Sequence, residues 1–284
     1  MTALQNVTVL GTGVLGSQIA FQTAYHGHPV VAYDIGDEAL AAAEVRFAKL
    51  AETYRVEVDG AADGGADAAL ARIRLSSDLA DAVKDADLVI EAVPENPDIK
   101  RDTYERLAKV APEKTVFATN SSTLLPSQLA PATGRPDRFL ALHYANHVWE
   151  HNTAEIMGTE QTDPAVYRQV VAFAESTGMV PIEIKKEKAG YLLNSLLVPL
   201  LTAASDLLVD GIAEPETIDK TWRIGTGAPA GPFQIFDVVG LTTAYNISAM
   251  GGPKQQAFAK LLKEQYIDRG KLGVATGEGF YRYG

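Results

Sequence analysis

Short apolar runs alternate with longer segments of mixed polarity from the start of the chain to about residue 185. The predicted strands are Val7–Leu10, Val30–Tyr33, Leu88–Ala92, Val116–Thr119, Phe139–His143, Ala154–Met157 and Val180–Ile184. Between them, apolar residues recur at helical spacing, most clearly over Ile99–Val110 and over Pro164–Thr177, where Asp163 stands as a capping residue. This alternation predicts an α/β fold with a mostly parallel, doubly wound sheet over residues 1–187.

The strand pattern stops after Lys188, and the remaining sequence has helical periodicity. The predicted helices are Leu192–Val209, Pro215–Ile224, Phe236–Met250 and Lys254–Arg269. We therefore expect a smaller all-α domain over residues 188–284.

One helix-prone stretch, Ala43–Arg74, lies outside the sheet pattern of the first domain. Its centre, residues 59–65, has the sequence Asp-Gly-Ala-Ala-Asp-Gly-Gly, which is typical of a turn. We expect residues 43–74 to form a helical hairpin arm.

A glycine motif connects the first predicted strand to the helix that follows it. Gly11, Gly13 and Gly16 form G-x-G-x-x-G. In this motif the first glycine allows a tight turn, the second lets a pyrophosphate approach the backbone, and the third lets the helix pack close to the strand. Val14 and Leu15 begin the helix, whose first N–H groups have no helical acceptor and favour a phosphate. The motif predicts a dinucleotide-binding site.

An acidic residue at the end of the second strand sharpens this prediction. Asp34 stands about 20 residues beyond the glycine motif, where a carboxylate accepts hydrogen bonds from the ribose hydroxyls of NAD and repels the 2′-phosphate of NADP. These features predict a Rossmann-type domain that binds NAD(H). The alternative is an ordinary glycine-rich turn with Asp34 as a solvated strand end.

Composition narrows the classes of function. The 284 residues are 46% hydrophobic and 21% charged, which is typical of a globular protein with a real core, and the net charge of −11 argues against nucleic-acid or anionic-membrane partners. Because the chain has no cysteine, disulfides, thiolate metal sites and a cysteine nucleophile are excluded.

Two further features bear on location. The chain enters a strand almost at once, without a basic and then apolar leader, and its longest apolar run, Tyr191–Ala204, is short and interrupted by polar residues. We therefore expect a cytoplasmic protein without a membrane span.

Polar residues follow three of the predicted strands at the edge where a dinucleotide-binding sheet holds its substrate. They are Glu91–Asn96, Asn120–Thr123, and His143 with Asn146. Histidine is the side chain best suited to supply a proton to a ketone oxygen near neutral pH, and Glu155 in the next strand would fix its tautomer. Ser122 and Asn194 are neutral donors for a developing oxyanion.

Each of these residues also has a plain structural interpretation. His143 and Glu155 would then be a polar strand end and a surface residue, and Asn120–Ser122 would cap a helix. His147 and His151 have helical ligand spacing, but they fall in a predicted loop, so we expect no metal site.

Taken in order, the motifs resemble the L-3-hydroxyacyl-CoA dehydrogenase family over nearly the whole chain. They are Gly11–Gly16 with Asp34, Glu91–Asn96, Ala118–Ser122, His143–Asn146, Glu155, Gly190–Asn194, Gly231–Phe233 and Thr276–Tyr281. The resemblance implies that His143 is the general acid/base, that Glu155 orients it, and that Ser122 and Asn194 bind the substrate oxygen.

The resemblance also implies the cofactor contacts and the partners. Glu95 and Lys100 would lie near the nicotinamide ribose, and Asn120, Ser122 and Asn146 would complete the cofactor site. The partner would be a small 3-oxo or 3-hydroxy substrate, and the helical domain would form a homodimer.

The sequence departs from the family where the acyl-CoA enzymes bind CoA. After His143 it continues with Tyr144-Ala145-Asn146-His147, and Trp149 and His151 replace a proline-rich loop, so we expect those two side chains to line the acyl pocket. The arm has five basic and six acidic residues, whereas CoA phosphates favour Arg and Lys. The chemistry is expected to persist while CoA recognition stays open.

We therefore expect reduction of a 3-oxo ester or acyl thioester by NADH, and its reversal. The alternatives are a 3-hydroxyacyl-CoA dehydrogenase of fatty-acid metabolism, a 6-phosphogluconate-type dehydrogenase with a lysine acid/base, and a non-catalytic NAD-binding protein.

Overall fold

A computed structural model describes residues 4–283, which form two compact units divided between Leu192 and Leu193. The domain limits predicted at residues 187 and 188 stay a prediction. Within the described residues, eight strands of the first unit form one sheet. They are β1 Val7–Leu10, β2 Val30–Tyr33, β3 Ile73–Ser76, β4 Leu88–Glu91, β5 Val116–Thr119, β6 Phe139–Tyr144, β7 Thr153–Gly158 and β8 Val180–Ile184.

The sheet has the order β3-β2-β1-β4-β5-β6-β7-β8, with every neighbouring pair parallel except β6 and β7. The helices of this unit are α1 Val14–Tyr25, α2 Asp37–Glu57, α3 Gly65–Ala71, α4 Leu79–Val83, α5 Pro97–Val110, α6 Pro126–Leu129 and α7 Pro164–Ser176. The expected Rossmann-type, mostly parallel sheet is confirmed. The central strands β1, β4 and β5 are buried on both faces, as helix-covered parallel strands are.

The helical arm was predicted over residues 43–74, but its end is wrong. Helices α2 and α3 form a hairpin that packs against α1, with Tyr54 fully buried against Phe21. Ile73 and Arg74, however, belong to β3, which is paired only with β2 at the edge of the sheet. A four-residue edge strand with an exposed arginine has too few buried apolar positions to show strand periodicity.

The second unit is all-helical, as expected. Its helices are α8 Leu193–Val209, α9 Pro215–Thr226, α10 Pro232–Val239, α11 Leu241–Ala249 and α12 Pro253–Gln265. The single helix predicted over Phe236–Met250 is wrong, because Gly240 has a φ of 92° and separates α10 from α11. The core of this unit is aromatic, with Phe233, Phe236 and Phe258 buried.

In the described part of the chain, none of the helices combines the length and the apolar character needed to cross a bilayer.

Candidate active site

The glycine loop after β1 is as tight as the motif predicts. Gly11 has a φ of 90°, and a Cβ there would lie 2.6 Å from the carbonyl oxygen of Ala92. A Cβ on Gly16 would lie 1.9 Å from the carbonyl oxygen of Gly11, so α1 can begin beside the strand only with glycine at both positions. A Cβ on Gly13 would have no neighbouring atom within 4 Å, so the space there is open, as a site for a pyrophosphate requires.

Helix α1 begins without a side-chain cap, because its N-cap residue is Gly13. The first N–H groups of the helix, starting with Val14 and Leu15, have no acceptor within the helix and carry the positive end of its dipole. The loop and the helix start together fit the phosphates of a dinucleotide.

Asp34 follows β2 and is held by hydrogen bonds. One carboxylate oxygen accepts from the backbone N–H and the hydroxyl of Thr12, at 2.8 and 2.6 Å, and the other accepts from the N–H of Ile35 at 2.8 Å. Burial raises the pKa of Asp34, but these bonds and the nearby charge of Arg46 outweigh it and leave the pKa below its ordinary value. An ionised carboxylate at this place fits the ribose hydroxyls of NAD.

Glu95 organises the loop that follows β5. Its Oε1 atom accepts from the hydroxyl of Ser121 at 2.6 Å and from the N–H and hydroxyl of Thr123 at 2.9 and 2.8 Å. Burial raises the pKa of Glu95, but these hydrogen bonds and the charge of Lys100 lower it by more. The pKa therefore lies below its ordinary value. The carboxylate therefore ties down the loop that contains Ser122.

Lys100 lies beneath Glu95, with its side chain 1% exposed. Its ammonium group bonds Oε1 of Glu91 and the carbonyl oxygen of Val93 at 3.2 Å, and it lies 3.3 Å from Oε2 of Glu95. A lysine has three N–H donors, and these three oxygen atoms match them. Lys100 is therefore buried below Glu95, and the expectation that both residues lie near the nicotinamide ribose stays a prediction.

His143 and Glu155 are directly opposite each other in the antiparallel pair β6 and β7. Nδ1 of His143 lies 3.0 Å from Oε2 of Glu155, and Nε2 lies 3.1 Å from the hydroxyl oxygen of Ser122. Both members of the pair are buried, with 5% of His143 and 4% of Glu155 exposed. The structure thus brings together three of the four predicted catalytic residues.

These contacts assign the protons of the imidazole. Because an ionised Glu155 only accepts hydrogen bonds, Nδ1 of His143 is the donor, and in the neutral ring Nε2 accepts from Ser122. Once Nε2 gains a proton, it becomes a donor aimed at the position of Ser122. The pair can therefore give and take one proton at Nε2.

Asn120 precedes His143 along the chain, and Asn146 follows it. Oδ1 of Asn120 accepts from the N–H of Tyr144 at 2.9 Å and so links the end of β5 to the end of β6. Asn146 is exposed after β6. Asn194 lies in the first turn of α8, in the second unit. The predicted contacts of these three residues with cofactor or substrate stay predictions.

The loop after β6 is joined to the helical hairpin. The indole N–H of Trp149 donates to Oε2 of Glu57, at the end of α2, at 2.7 Å, and the ring of His147 stacks on the rings of Trp149 and His151. Trp149 is half-buried and also contacts Tyr54. Whether Trp149 and His151 line the acyl pocket stays a prediction.

Tyr191 is a site residue that the sequence patterns do not indicate. Its ring lies on that of His143 with centroids 4.4 Å apart and planes 10° apart, and its hydroxyl donates to the carbonyl oxygen of Ser121 at 2.8 Å. The next residue, Leu192, donates its N–H to Oε1 of Glu155 at 2.9 Å. No local spacing could have revealed these contacts, because the partners come from distant parts of the chain.

The described residues contain no group of three or more histidine, aspartate or glutamate side chains placed to hold a metal ion.

Two family models account for nearly the whole sequence. The NAD-binding domain of 3-hydroxyacyl-CoA dehydrogenase matches residues 6–188, and the C-terminal domain of the same enzyme matches residues 190–283. The chain belongs to the 3-hydroxyacyl-CoA dehydrogenase family. It is accordingly an NAD-dependent oxidoreductase that acts on CH–OH groups, and the expected cofactor is confirmed.

Curated relatives of this family match end to end. The mitochondrial hydroxyacyl-coenzyme A dehydrogenase of Homo sapiens is 36% identical, and the match covers 99% of this chain and 91% of that protein. A probable 3-hydroxybutyryl-CoA dehydrogenase of Deinococcus radiodurans is 33% identical, with 97% and 99% covered.

A solved structure of a diketoreductase, described as acting on dicarbonyl compounds, is more similar still. It is 73% identical to this dehydrogenase, has a TM-score of 0.97, and the match covers 100% of both chains. The chain is thus similar both to enzymes named for CoA thioesters and to one named for dicarbonyl compounds.

Proposed function

We propose that this dehydrogenase reduces a 3-oxo ester or acyl thioester to the 3-hydroxy compound with NADH, and catalyses the reverse oxidation, with His143 as general acid/base. The observation that carries the proposal is the placement of His143 between the Glu155 carboxylate and the Ser122 hydroxyl. A proton-transferring imidazole with one nitrogen fixed and the other open to exchange is what carbonyl reduction requires of a protein.

Held by the glycine loop and Asp34, NADH would supply the hydride for C3 of the substrate in the reducing direction. Protonated His143 gives its Nε2 proton to the C3 oxygen, and Glu155 holds Nδ1 so that the ring keeps its orientation during the transfer. Ser122 lies next to Nε2 and donates a hydrogen bond to the same oxygen, and Asn194 is proposed as its second neutral donor. In the oxidising direction neutral His143 takes the hydroxyl proton.

The helical hairpin supports a substrate without CoA. Within the hairpin, Arg55 is paired with Glu52 and Asp67, whereas Lys49 is exposed. Arg74, which follows the hairpin in β3, is paired with Asp81. Arg46 and Arg72 donate to the carbonyl oxygen atoms of Thr12 and Ala24, respectively. Guanidinium groups already bonded to protein oxygen atoms are poorly placed to bind CoA phosphates. We therefore favour a CoA-free 3-oxo or 3,5-diketo ester.

The alternative, a 3-hydroxyacyl-CoA dehydrogenase proper, is supported by the similarity to the human and Deinococcus relatives, which are named for CoA thioesters. The test is NADH oxidation with acetoacetyl-CoA and a CoA-free 3,5-diketo ester side by side. A kcat/KM for the diketo ester at least about tenfold higher, which corresponds to about 1.4 kcal/mol of transition-state binding, supports the favoured substrate. The reverse preference supports the CoA thioester, and NADH binding without any turnover supports a non-catalytic NAD-binding protein.

We also propose that the protein is a homodimer formed through its helical unit. Helix α8 exposes Leu196 and Leu207, which lie about three turns apart on one face of the helix, and Leu196 is 75% exposed. Apolar side chains grouped on one helix are typical of an association surface. Sedimentation of the protein tests this proposal, with a dimer expected for the native chain and a monomer for Leu196→Glu.

A further inference from the structure

The aromatic ring that covers His143 occupies an unusual backbone position. Tyr191 has a φ of 51°, and the preceding residue, Gly190, has a φ of 79°. Bulky side chains seldom adopt the left-handed region, and where they do, the surrounding contacts must hold them there. Here the two left-handed residues bring the tyrosine ring over the imidazole.

Tyr191 is held at both ends. Its side chain is 1% exposed and packs in a small apolar cluster with Ala141, Met157 and Ile184. Its hydroxyl donates to the carbonyl oxygen of Ser121, the residue before Ser122. Burial, followed by the charges of nearby glutamates, raises the pKa of the hydroxyl far above its ordinary value, so the group remains a neutral donor.

The same segment also completes the bonding of Glu155. Oε2 accepts from His143, whereas Oε1 accepts from the N–H of Leu192. With one oxygen fixed by the backbone, the carboxylate presents the other in a single orientation to the imidazole.

We propose that Tyr191 is a positioning residue for the acid/base chemistry of His143. The inference rests on the proposed function, because it assigns Tyr191 a part in the same reaction. Glu155 and Ser122 hold the two ring nitrogens of His143. The terminal torsion of a histidine side chain has a broad energy well, so the plane of the ring can still tilt. The nearly parallel ring of Tyr191 limits that torsion, and its hydroxyl fixes the chain next to Ser122.

Tyr191 contacts His143 through its ring and the backbone beside Ser122 through its hydroxyl. Tyr191 therefore acts through His143 and Ser122 rather than on the substrate itself.

Two substitutions separate the ring from the hydroxyl. Tyr191→Phe keeps the stacked ring and should lower the single-turnover rate of NADH oxidation by about fivefold, the value of one hydrogen bond. Tyr191→Leu removes both and should lower the rate by about 30- to 100-fold, as expected for a misaligned catalytic group. The Kd for NADH should stay within about twofold of the native value, because the proposed role concerns the chemical step.

Tyr167→Phe is the matched control, because its hydroxyl also donates to a backbone oxygen of the sheet, that of Ile156 at 3.0 Å. Its rate should equal that of the native enzyme. If Tyr191→Leu does not fold, Tyr191→Met, whose flexible side chain fills irregular gaps in a core, replaces it. A native rate in the leucine or methionine variant overturns the proposal.

An NMR readout is independent of turnover. The ring protons of His143 should be shifted by the aromatic ring in the native protein and in Tyr191→Phe, and should lose that shift in Tyr191→Leu. An unchanged spectrum of His143 in Tyr191→Leu contradicts the proposal. If the native protein turns over no 3-oxo substrate, the proposed function fails, and the spectrum alone decides whether Tyr191 positions His143.

Discussion

Two buried glutamates of the same sheet differ in their ionisable partner, which is a lysine for Glu91 and a histidine for Glu155. Glu91 ends β4, is fully buried, and accepts from the ammonium of Lys100, the N–H of Val93, and the hydroxyls of Tyr104 and Thr119. Glu155 in β7 accepts from an imidazole and a backbone N–H.

These partners distinguish the roles of the two carboxylates. The three donors of the Lys100 ammonium all face protein oxygen atoms, so its ion pair with Glu91 is a permanent link within the fold. The imidazole of His143 bonds Glu155 through Nδ1 and has Nε2 as a second nitrogen for a proton, so its pair with Glu155 can follow a proton. We infer that Glu91 stabilises the frame beneath the site, whereas Glu155 serves the reaction.

The largest effect should follow from breaking the permanent pair. Lys100→Met leaves the Glu91 carboxylate buried without its cation and should lower the free energy of unfolding by about 3–5 kcal/mol. Urea denaturation measures this loss. The double variant Glu91→Gln with Lys100→Met should recover much of it, because no uncompensated charge remains. Native stability of Lys100→Met would show that the pair contributes nothing.

Substitution of Glu155 should change the catalytic activity instead of the stability. Glu155→Gln removes the negative charge beside His143 and should lower kcat by about 100-fold, or about 2.7 kcal/mol in the activation free energy, while the Kd for NADH stays native. Steady-state kinetics and NADH fluorescence titration measure the two quantities. A native kcat in this variant would remove the distinction between the two carboxylates.

The residue after His143 offers a smaller test of polar burial. The hydroxyl of Tyr144 is buried and, among the described residues, has no hydrogen-bond partner, in contrast to the fully bonded Glu91. Tyr144→Phe should therefore raise the free energy of unfolding by about 1 kcal/mol. Urea denaturation again measures the change, and a loss of stability would mean that the hydroxyl is bonded in solution.

The smallest expected effect is on the free energy of unfolding at acidic pH. The pKa of Glu95 is lowered in the folded protein, so its contribution to stability is present above the ordinary glutamate pKa and is lost as the pH falls through the lowered value. Between about pH 6 and pH 3, Glu95→Gln should therefore lose less stability than the native protein. Identical slopes of unfolding free energy against pH would contradict this assignment.

The sequence predicted the parts of the site that depend on local order. The glycine loop and Asp34 have fixed spacing within one βαβ unit, and His143 and Glu155 belong to strands that are adjacent both along the chain and in the sheet. In such cases local patterning decides the three-dimensional contact.

Contacts made over long distances along the chain could not be predicted in this way. Tyr191 reaches His143 only because the chain turns through two left-handed residues, and Lys100 is buried although lysine is seldom buried. Strand β3 was missed because an edge strand depends on backbone pairing with β2 more than on its own apolar residues.

The most direct test of the account is NADH binding and NADH oxidation by the native protein and His143→Gln, measured in parallel with a 3-oxo ester. We expect both proteins to bind NADH with the same Kd, and kcat to fall by about 10³-fold or more in the variant, because proton transfer by a positioned side chain contributes on this scale. A His143→Gln variant that oxidises NADH at the native rate would show that His143 does not carry the proton.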